Sequence, residues 1–181
     1  NGMIDPSDWS SSSASMMRHS RHIKRHWVID MLSNALIILS ASLSQLSGAP
    51  VVTDGDTIRI GEDRIRLEGI DAPESAQTCE NAHRVSWQCG LSSTQALTAL
   101  IGDKPVRCEI SGKDRYNRSL GTCWLGDLDI NGWMVNQGWA VAYRQYSTRY
   151  IPNENDARSN HRNIWSGTFE MPSQWRADHR R

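Results

Sequence analysis

Residues 51–74 decide the fold, and they read VVTDGDTIRIGEDRIRLEGIDAPE. Three runs within this stretch are β-branched or alternate between apolar and polar side chains, as strands do: 51–53, 57–60 and 64–70. Asp-Gly-Asp at 54–56 and Gly-Glu-Asp at 61–63 predict the turns between them. Pro73 predicts the end of the third strand, because proline cannot donate a ladder hydrogen bond.

The rest of the chain predicts helices and a second hairpin. The expected helices are 92–101, 130–137 and 152–164, and the expected strands are 106–110, 119–125 and 139–143. Several short strands with helices between them favour a small closed barrel with peripheral helices. We therefore predict an α+β fold that is mainly a β barrel.

The residues before Pro50 differ in composition from those after it. A serine-rich segment and a basic cluster precede an apolar run at 31–46, which ends in small residues. This layout is typical of an export signal. The predicted divisions are a disordered N-terminus with a signal peptide at 1–49, a domain at 50–170 and a basic tail at 171–181.

The fate of the leader stays open at this stage. Cleavage after Ala49 and cleavage after Ser44 are alternatives, and so is an amphipathic helix that belongs to the fold. We expect a secreted or periplasmic protein. In the alternative, residues 27–46 anchor it to a membrane, and an uncleaved leader would be its only contact with a membrane.

The cysteines give an independent indication of export. All of them follow the apolar run: Cys79, Cys89, Cys108 and Cys123. None forms a Cys-x-x-Cys pair, which argues against a zinc site, and an even number in an exported domain favours disulfides. Cys108 and Cys123 flank a hairpin tip and should lie opposite each other, which leaves Cys79 to pair with Cys89. The alternative is four buried free thiols in a cytosolic protein.

Two acidic turns flank the hairpin formed by the second and third strands. Asp54 and Asp56 lie in the first turn, and Asp71 and Glu74 lie in the second. If the strands pair, the open end of the hairpin brings these carboxylates together, and a cation should neutralise them. Oxygen ligands select Ca²⁺ or Mg²⁺ over zinc.

Two arginines strengthen the prediction of a functional site. Arg66 lies five residues before Asp71, and Arg118 lies at the base of the second hairpin tip. Guanidinium groups match the charged oxygens of a phosphodiester transition state. The alternative is that both arginines form surface salt bridges, for example Arg66 with Glu68.

Overall charge does not by itself indicate nucleic-acid binding. From Pro50 onward the chain has sixteen basic and seventeen acidic residues. This balance is unusual for a protein that holds nucleic acid by charge alone. Any such function must depend on a local site, helped by a bound cation.

This combination of residues resembles the staphylococcal nuclease (thermonuclease) family between about residues 51 and 165. The matching motifs are 54–57, 66–74, 114–118, 135–140, 142–143 and 163–166. The resemblance implies an OB-fold with a five-stranded barrel and three peripheral helices. It also implies a Ca²⁺-dependent endonuclease that hydrolyses DNA and RNA by water attack on phosphorus, with P–O5′ cleavage that leaves 3′-phosphates.

The same resemblance implies roles for individual residues. The implied Ca²⁺ ligands are the carboxylates of Asp56 and Asp71 and the backbone carbonyl of Ala72. The implied catalytic residues are Glu74, which positions or deprotonates the water, and Arg66 and Arg118, which bind the phosphate. The implied substrate contacts are Arg115, Tyr116 and Tyr143.

Some positions depart from the family pattern. Ala72 stands where the family has threonine, which leaves a carbonyl ligand but no hydroxyl. Asn117 stands where the family has glycine, and asparagine tolerates a positive φ better than most residues do. The near-neutral charge predicts weaker and less salt-dependent substrate binding.

Two other functions compete with the nuclease prediction. The first is a non-catalytic OB-fold module of the same family that binds single strands or a peptide. The second is a calcium-stabilised structural domain outside the cytoplasm with no nucleic-acid role. For the enzyme, we expect DNA and RNA substrates, no protein partner and a monomeric state.

Overall fold

The computed structural model describes residues 44–179. The predicted disordered N-terminus and signal peptide span residues 1–49, and the part of that prediction at residues 1–43 lies outside the described residues. The strands are β1 Ser44–Gly48, β2 Val51–Asp54, β3 Thr57–Ile60, β4 Asp63–Leu67, β5 Ile70–Asp71, β6 Cys79–Glu80, β7 Ser86–Trp87, β8 Val106–Lys113, β9 Ser119–Leu125, β10 Leu128–Asp129 and β11 Val141–Ala142. The α-helices are α1 Cys89–Ile101, α2 Ile130–Asn136, α3 Ile151–Ser159 and α4 Pro172–Asp178, and a 3₁₀ turn spans Asn163–Ser166.

One curled sheet forms the centre of the fold. Its strand order is β1-β8-β9-β4-β3-β2, and β10 extends it by pairing with β9. β4 and β9 run parallel, whereas the other neighbours run antiparallel. The half-barrel with its surrounding helices confirms the α+β, OB-like prediction. Within residues 44–179 the main sheet has seven strands rather than five, and four α-helices accompany it rather than three.

The apolar residues that alternate with polar ones along the strands form the core. Ile58 and Ile65 face each other across β3 and β4 and are fully buried. They share one apolar cluster with Leu67, with Leu97 of α1 and with Met134 of α2. Because successive strand residues point to opposite faces, Thr57 and Arg66 form the neighbouring cross-strand pair. Because Ile65 is packed in the core, the backbone position of its neighbour Arg66 on β4 is fixed as well.

Both predicted disulfides are confirmed. Cys108 and Cys123 are direct partners in the β8–β9 ladder, with Cα atoms 4.0 Å apart. Cys79 of β6 is bonded to Cys89, the first residue of α1, with Cα atoms 5.6 Å apart. The part of the chain that the structure describes has no free cysteine. Two disulfides fit an oxidising compartment.

The start of the domain differs from the prediction. The boundary expected at Pro50 lies inside the fold, because β1 pairs along β8 from Ser44 to Gly48. Its sequence, SQLSG, has no strand pattern of its own, so the pairing with β8 makes it a strand. Cleavage after Ala49 would remove β1, whereas cleavage after Ser44 would leave all but its first residue.

Other boundaries also move. The strand expected at 64–70 is interrupted at Gly69, where φ is +78°, and resumes as β5. The helix expected at 152–164 ends at Ser159 and gives way to the 3₁₀ turn. The tail expected at 171–181 contains α4, which begins with proline in its first turn. Between residues 44 and 179, no helix combines the length and apolar character needed to cross a membrane.

Candidate active site

The turn between β2 and β3 places Asp56 inside the protein. A Cβ atom at Gly55 would lie 2.2 Å from Ser93 Oγ and 2.7 Å from Ala72 Cβ, so only glycine lets the turn pack this closely. Asp56 is buried, and its Oδ2 accepts a hydrogen bond from the Ala72 backbone N–H at 2.8 Å. Thr57 Oγ1 donates to Asp56 Oδ1 at 3.2 Å.

Arg66 joins the two acidic turns. Its Nη1 donates to Asp56 Oδ1, and its Nη2 donates to Asp71 Oδ1 at 2.7 Å. Asp71 is buried in β5, which pairs with β11. The alternative of a surface salt bridge with Glu68 is wrong, because the Arg66 side chain is 13% exposed and Glu68 instead accepts from Ser111 Oγ.

The backbone of Glu74 is held from two sides. Gln77, which is fully buried, accepts from Glu74 N–H at 3.2 Å through Oε1 and donates its own N–H to Glu74 O at 2.7 Å. Gly90 of α1 approaches so closely that a Cβ atom there would lie 1.7 Å from Glu74 O. The Glu74 side chain is 36% exposed, so its carboxylate can meet solvent while its main chain is fixed.

Helix α4 brings a further guanidinium to the same place. Arg176 Nη1 donates to Asp71 Oδ1 and to Glu74 Oε1, each at 2.9 Å, and Nη2 donates to Asp71 Oδ2 at 3.0 Å. The ionic cluster therefore consists of Asp56, Arg66, Asp71, Glu74 and Arg176. Sequence reasoning missed Arg176 because it lies in a segment with no apolar periodicity, and it missed Gln77 because no local pattern marks a polar residue that folding will bury.

The electrostatics of the ionic cluster follow from burial. Removal from water raises the pKa of Asp56 to about 7; Arg66 opposes this, and Asp54 and Asp71 add to it. Burial lowers the pKa of Arg66 and Arg176, but bonds to their carboxylate partners outweigh it and raise both pKa values. With three carboxylates and two guanidiniums, the ionic cluster has more acidic than basic groups.

Arg118 bonds to Asp114 rather than to the ionic cluster. Its Nε donates to Asp114 Oδ2 at 2.7 Å, and its backbone N–H donates to Asp114 Oδ1 at 2.9 Å. Burial raises the pKa of Asp114, but these bonds outweigh it and lower the pKa. Asn117 adopts φ +63°, which confirms the expected turn. Among residues 44–179, Arg118 makes no hydrogen bond to the ionic cluster, although β9 starts beside the strand that carries Arg66.

Of the expected substrate contacts, Arg115 and Tyr116 are exposed and Tyr143 is half-buried. Tyr116 is 66% exposed, with the guanidiniums of Arg115 and Arg118 at 4.8 and 5.6 Å from its ring centre. Tyr143 follows β11 and donates its backbone N–H to Gly69 O at 2.9 Å, and its ring meets Tyr146 edge-on at 4.8 Å. Exposed aromatic rings beside guanidiniums suit bases and phosphates.

The donor atoms fit a hard cation. Asp56 and Asp71 present buried carboxylate oxygens, and the acidic excess of the ionic cluster leaves charge for an ion to neutralise. A soft-metal site is disfavoured because every cysteine is in a disulfide. In the part of the chain that is described, no group of three or more His, Cys, Asp or Glu side chains is arranged to hold a metal. Arg66 and Arg176 hold the carboxylate oxygens instead.

A comparison with protein families identifies the relationship. The family described as staphylococcal nuclease homologue matches residues 64–167. The chain belongs to the staphylococcal nuclease family. The family match covers three members of the ionic cluster, Arg66, Asp71 and Glu74, whereas Asp56 precedes it and Arg176 follows it.

Individual relatives agree with this assignment. The succinoglycan biosynthesis protein ExoI of Rhizobium meliloti is 39% identical over 122 residues, which are 65% of this chain and 63% of that protein. An uncharacterized endonuclease of Haemophilus influenzae is 33% identical over 164 residues, 85% of this chain and 86% of the relative. The probable staphylococcal-like nuclease CAN2 of Oryza sativa is 31% identical over 145 residues, 78% of this chain and 37% of that protein.

The names of these relatives, and the share of each that the chain covers, determine how specific a functional conclusion they support. The chain spans less than two thirds of the length of the Rhizobium and rice proteins. The relatives that are named as nucleases or endonucleases support a nuclease function in general.

Proposed function

We propose that this member of the staphylococcal nuclease family is a Ca²⁺-dependent phosphodiesterase that hydrolyses DNA and RNA. Water attacks phosphorus, the P–O5′ bond breaks, and the products carry 3′-phosphates. The observation that carries the proposal is the convergence of Asp56, Asp71 and Glu74, with Arg66 bonded to both aspartates. The ionic cluster thus brings together the acidic groups that would serve a cation and a base and a guanidinium that would serve a phosphate.

Asp56 and Asp71, with the carbonyl of Ala72, would hold the cation. When bound, Ca²⁺ polarises a phosphoryl oxygen and orients the substrate. The support comes from the burial of both carboxylates and from the raised pKa of Asp56, because the ionised form of that group needs more positive charge than Arg66 supplies.

Glu74 takes the role of general base or water-positioning group. Its carboxylate is partly exposed, so a water molecule can come within hydrogen-bond distance of it. Its backbone is fixed by Gln77 and by the close approach of Gly90. A base on a fixed main chain meets the substrate in one orientation, and orientation accounts for a large part of catalysis.

Arg66 and Arg118 bind the phosphate. Arg66 is mostly buried beside both aspartates, where a guanidinium stabilises charge that develops on phosphoryl oxygens. Arg118 exchanges its bonds to Asp114 for bonds to phosphate when substrate arrives. Arg115, Tyr116 and Tyr143 contact the nucleotide.

We also propose that the protein works outside the cytoplasm. Two disulfides support a secreted or periplasmic location, because such bonds persist in oxidising compartments. The alternative is attachment to a membrane through a leader at residues 27–46.

A digestion experiment tests the proposed activity. Plasmid DNA and a long RNA are incubated with the protein and Ca²⁺, with and without EGTA, and the product ends are analysed for 3′-phosphates. Glu74→Gln should lower the rate by about 10²–10⁴-fold, the contribution typical of a general base. Glu109→Gln is the matched control, since Glu109 lies on β8 and pairs with Arg107.

Three outcomes would contradict the proposal. They are cleavage that persists in EGTA, full activity of Glu74→Gln, and products with 5′-phosphates. Binding of an oligonucleotide without cleavage under any condition would instead support the non-catalytic OB-fold module.

A further inference from the structure

We propose that helix α4 is an autoinhibitory element, in which Arg176 competes with the divalent cation for Asp71 and with water for Glu74. This inference rests on the proposed function, because it concerns the same carboxylates. It adds a regulatory contact from a segment that lies outside the family match at residues 64–167.

The first argument is the identity of the oxygens involved. Arg176 donates to both carboxylate oxygens of Asp71 and to Oε1 of Glu74, at 2.9 to 3.0 Å. Arg66 donates to Asp71 only at Oδ1, whereas Arg176 also takes Oδ2, the oxygen that a cation would otherwise bind. Arg176 also holds Oε1 of Glu74, one of the two oxygens that could accept a proton from the attacking water. Arg176 therefore competes with a cation at Asp71 and with water at one oxygen of Glu74.

The second argument is the weak attachment of α4. Pro172 is its only buried residue. Among the described residues, the side-chain hydrogen bonds from α4 to the barrel all come from Arg176, and outside α4 Asp178 contacts only Glu170, two residues before the helix. The other side-chain bonds of the helix are internal, from Gln174 to Asp178, and Trp175 stacks on His179.

The consequence is a contact that a cation can displace. Arg176 is 31% exposed and Glu74 is 36% exposed, so solvent and ions reach this side of the contact, whereas Asp71 is 1% exposed. The Arg176–Glu74 pair contributes little to stability, and a cation at Asp71 would replace the charge that Arg176 supplies there. Pro172 is buried and Trp175 is half-buried, but neither belongs to the apolar clusters of the core, so the helix can leave without unfolding the barrel. Ca²⁺ and Arg176 thus become alternative partners of the Asp71 carboxylate.

Calcium binding in the absence of nucleic acid tests the inference. Calorimetry at one ionic strength measures Ca²⁺ binding to three full-length proteins: the unsubstituted protein, called the full chain below, the Arg176→Gln variant and the Arg158→Gln variant. Arg158→Gln removes the same charge from an exposed position on α3 that contacts Glu154 rather than the ionic cluster. Arg176→Gln should bind Ca²⁺ about tenfold more tightly than the full chain, and Arg158→Gln should bind it within about twofold. Circular dichroism melting confirms that each variant is folded.

Cleavage assays on the same three proteins separate the remaining outcomes. Arg176→Gln should reach half-maximal activity at lower Ca²⁺ than the full chain. Unchanged Ca²⁺ affinity in Arg176→Gln, with normal cleavage by the full chain, overturns the inference and leaves the proposed function standing. Unchanged affinity with loss of cleavage also overturns it and makes Arg176 a substrate contact. If none of the three proteins binds Ca²⁺ or cleaves, the inference and the proposed function both fail.

Discussion

Replacement of Gly90 by alanine tests how the site positions Glu74. The new Cβ atom would lie 1.7 Å from the carbonyl oxygen of Glu74 and 2.5 Å from its carbonyl carbon. Both atoms belong to the backbone, so no side chain can rotate away. Real Cβ atoms essentially never lie within 3.0 Å of another heavy atom, so the loop and the helix must separate by about 1.3 Å.

The size of that displacement sets the expected loss. A misplacement of about 1 Å at a reacting group can cost about 10²-fold in rate, which equals about 2.7 kcal/mol of activation free energy. Overpacking against a rigid neighbour costs about 2 kcal/mol of stability. The better helix propensity of alanine offsets up to about 1 kcal/mol of this. The melting temperature should therefore fall by only about 5 °C.

The assay compares kcat and KM on one DNA oligonucleotide at 25 °C, with melting followed by circular dichroism. Gly112→Ala is the matched control, because a Cβ atom at Gly112 has no other atom within 4 Å. We expect kcat to fall for Gly90→Ala with little change in KM, and neither value to change for Gly112→Ala. A Gly90→Ala protein with kcat within about twofold of the parent would refute the idea that this close contact positions the base.

The remaining predictions concern the disulfides, the salt dependence and the N-terminus. Replacing Cys108 and Cys123 with alanine should cost about 3 kcal/mol of stability and leave kcat unchanged; a lower kcat in the folded variant would contradict this. Replacing Cys79 and Cys89 should cost about as much stability and also lower kcat, because the disulfide joins the segments that carry Gln77 and Gly90, and both of these hold the backbone of Glu74. In a plot of the logarithm of oligonucleotide affinity against the logarithm of salt concentration, the slope should be about −2, which corresponds to about three phosphate contacts. A slope of about −6 would indicate a wider basic surface. Sequencing of the mature protein should place its N-terminus at or before Gln45, since a later start removes β1.

Periodicity allowed the centre of this fold to be predicted. β3 matches its predicted bounds, and β9 does too, because alternating residues specify a strand wherever one face is buried. The pairing of Cys108 with Cys123 followed from the same logic, since a hairpin places residues equidistant from its tip opposite each other. The convergence of the two acidic turns was predictable because a hairpin joins them.

Features that depend on tertiary contacts could not be predicted. β1 is a strand because β8 offers it an edge, and nothing in SQLSG indicates that edge. Gly69 interrupts the third strand at a positive φ, which an alternating pattern does not reveal. Arg176 reaches Asp71 across 105 positions of sequence, and no local pattern specifies so distant an ion pair.

Within the ionic cluster, some side chains are positioned by local strand pairing and others by contacts between distant segments. Asp56 precedes β3, so the register of the β3–β4 hairpin brings it to Arg66, whereas Asp71 follows the turn at Gly69 and is placed by the pairing of β5 with β11. Glu74 belongs to a loop without regular structure, and its position depends on Gln77, on Gly90 and on the nearby disulfide. The cation-binding part of the site therefore forms with the barrel, whereas the base depends on packing between the loop and α1. Mutations in that packing should separate Ca²⁺ affinity from kcat, because they move Glu74 without changing the strand pairings that hold both aspartates.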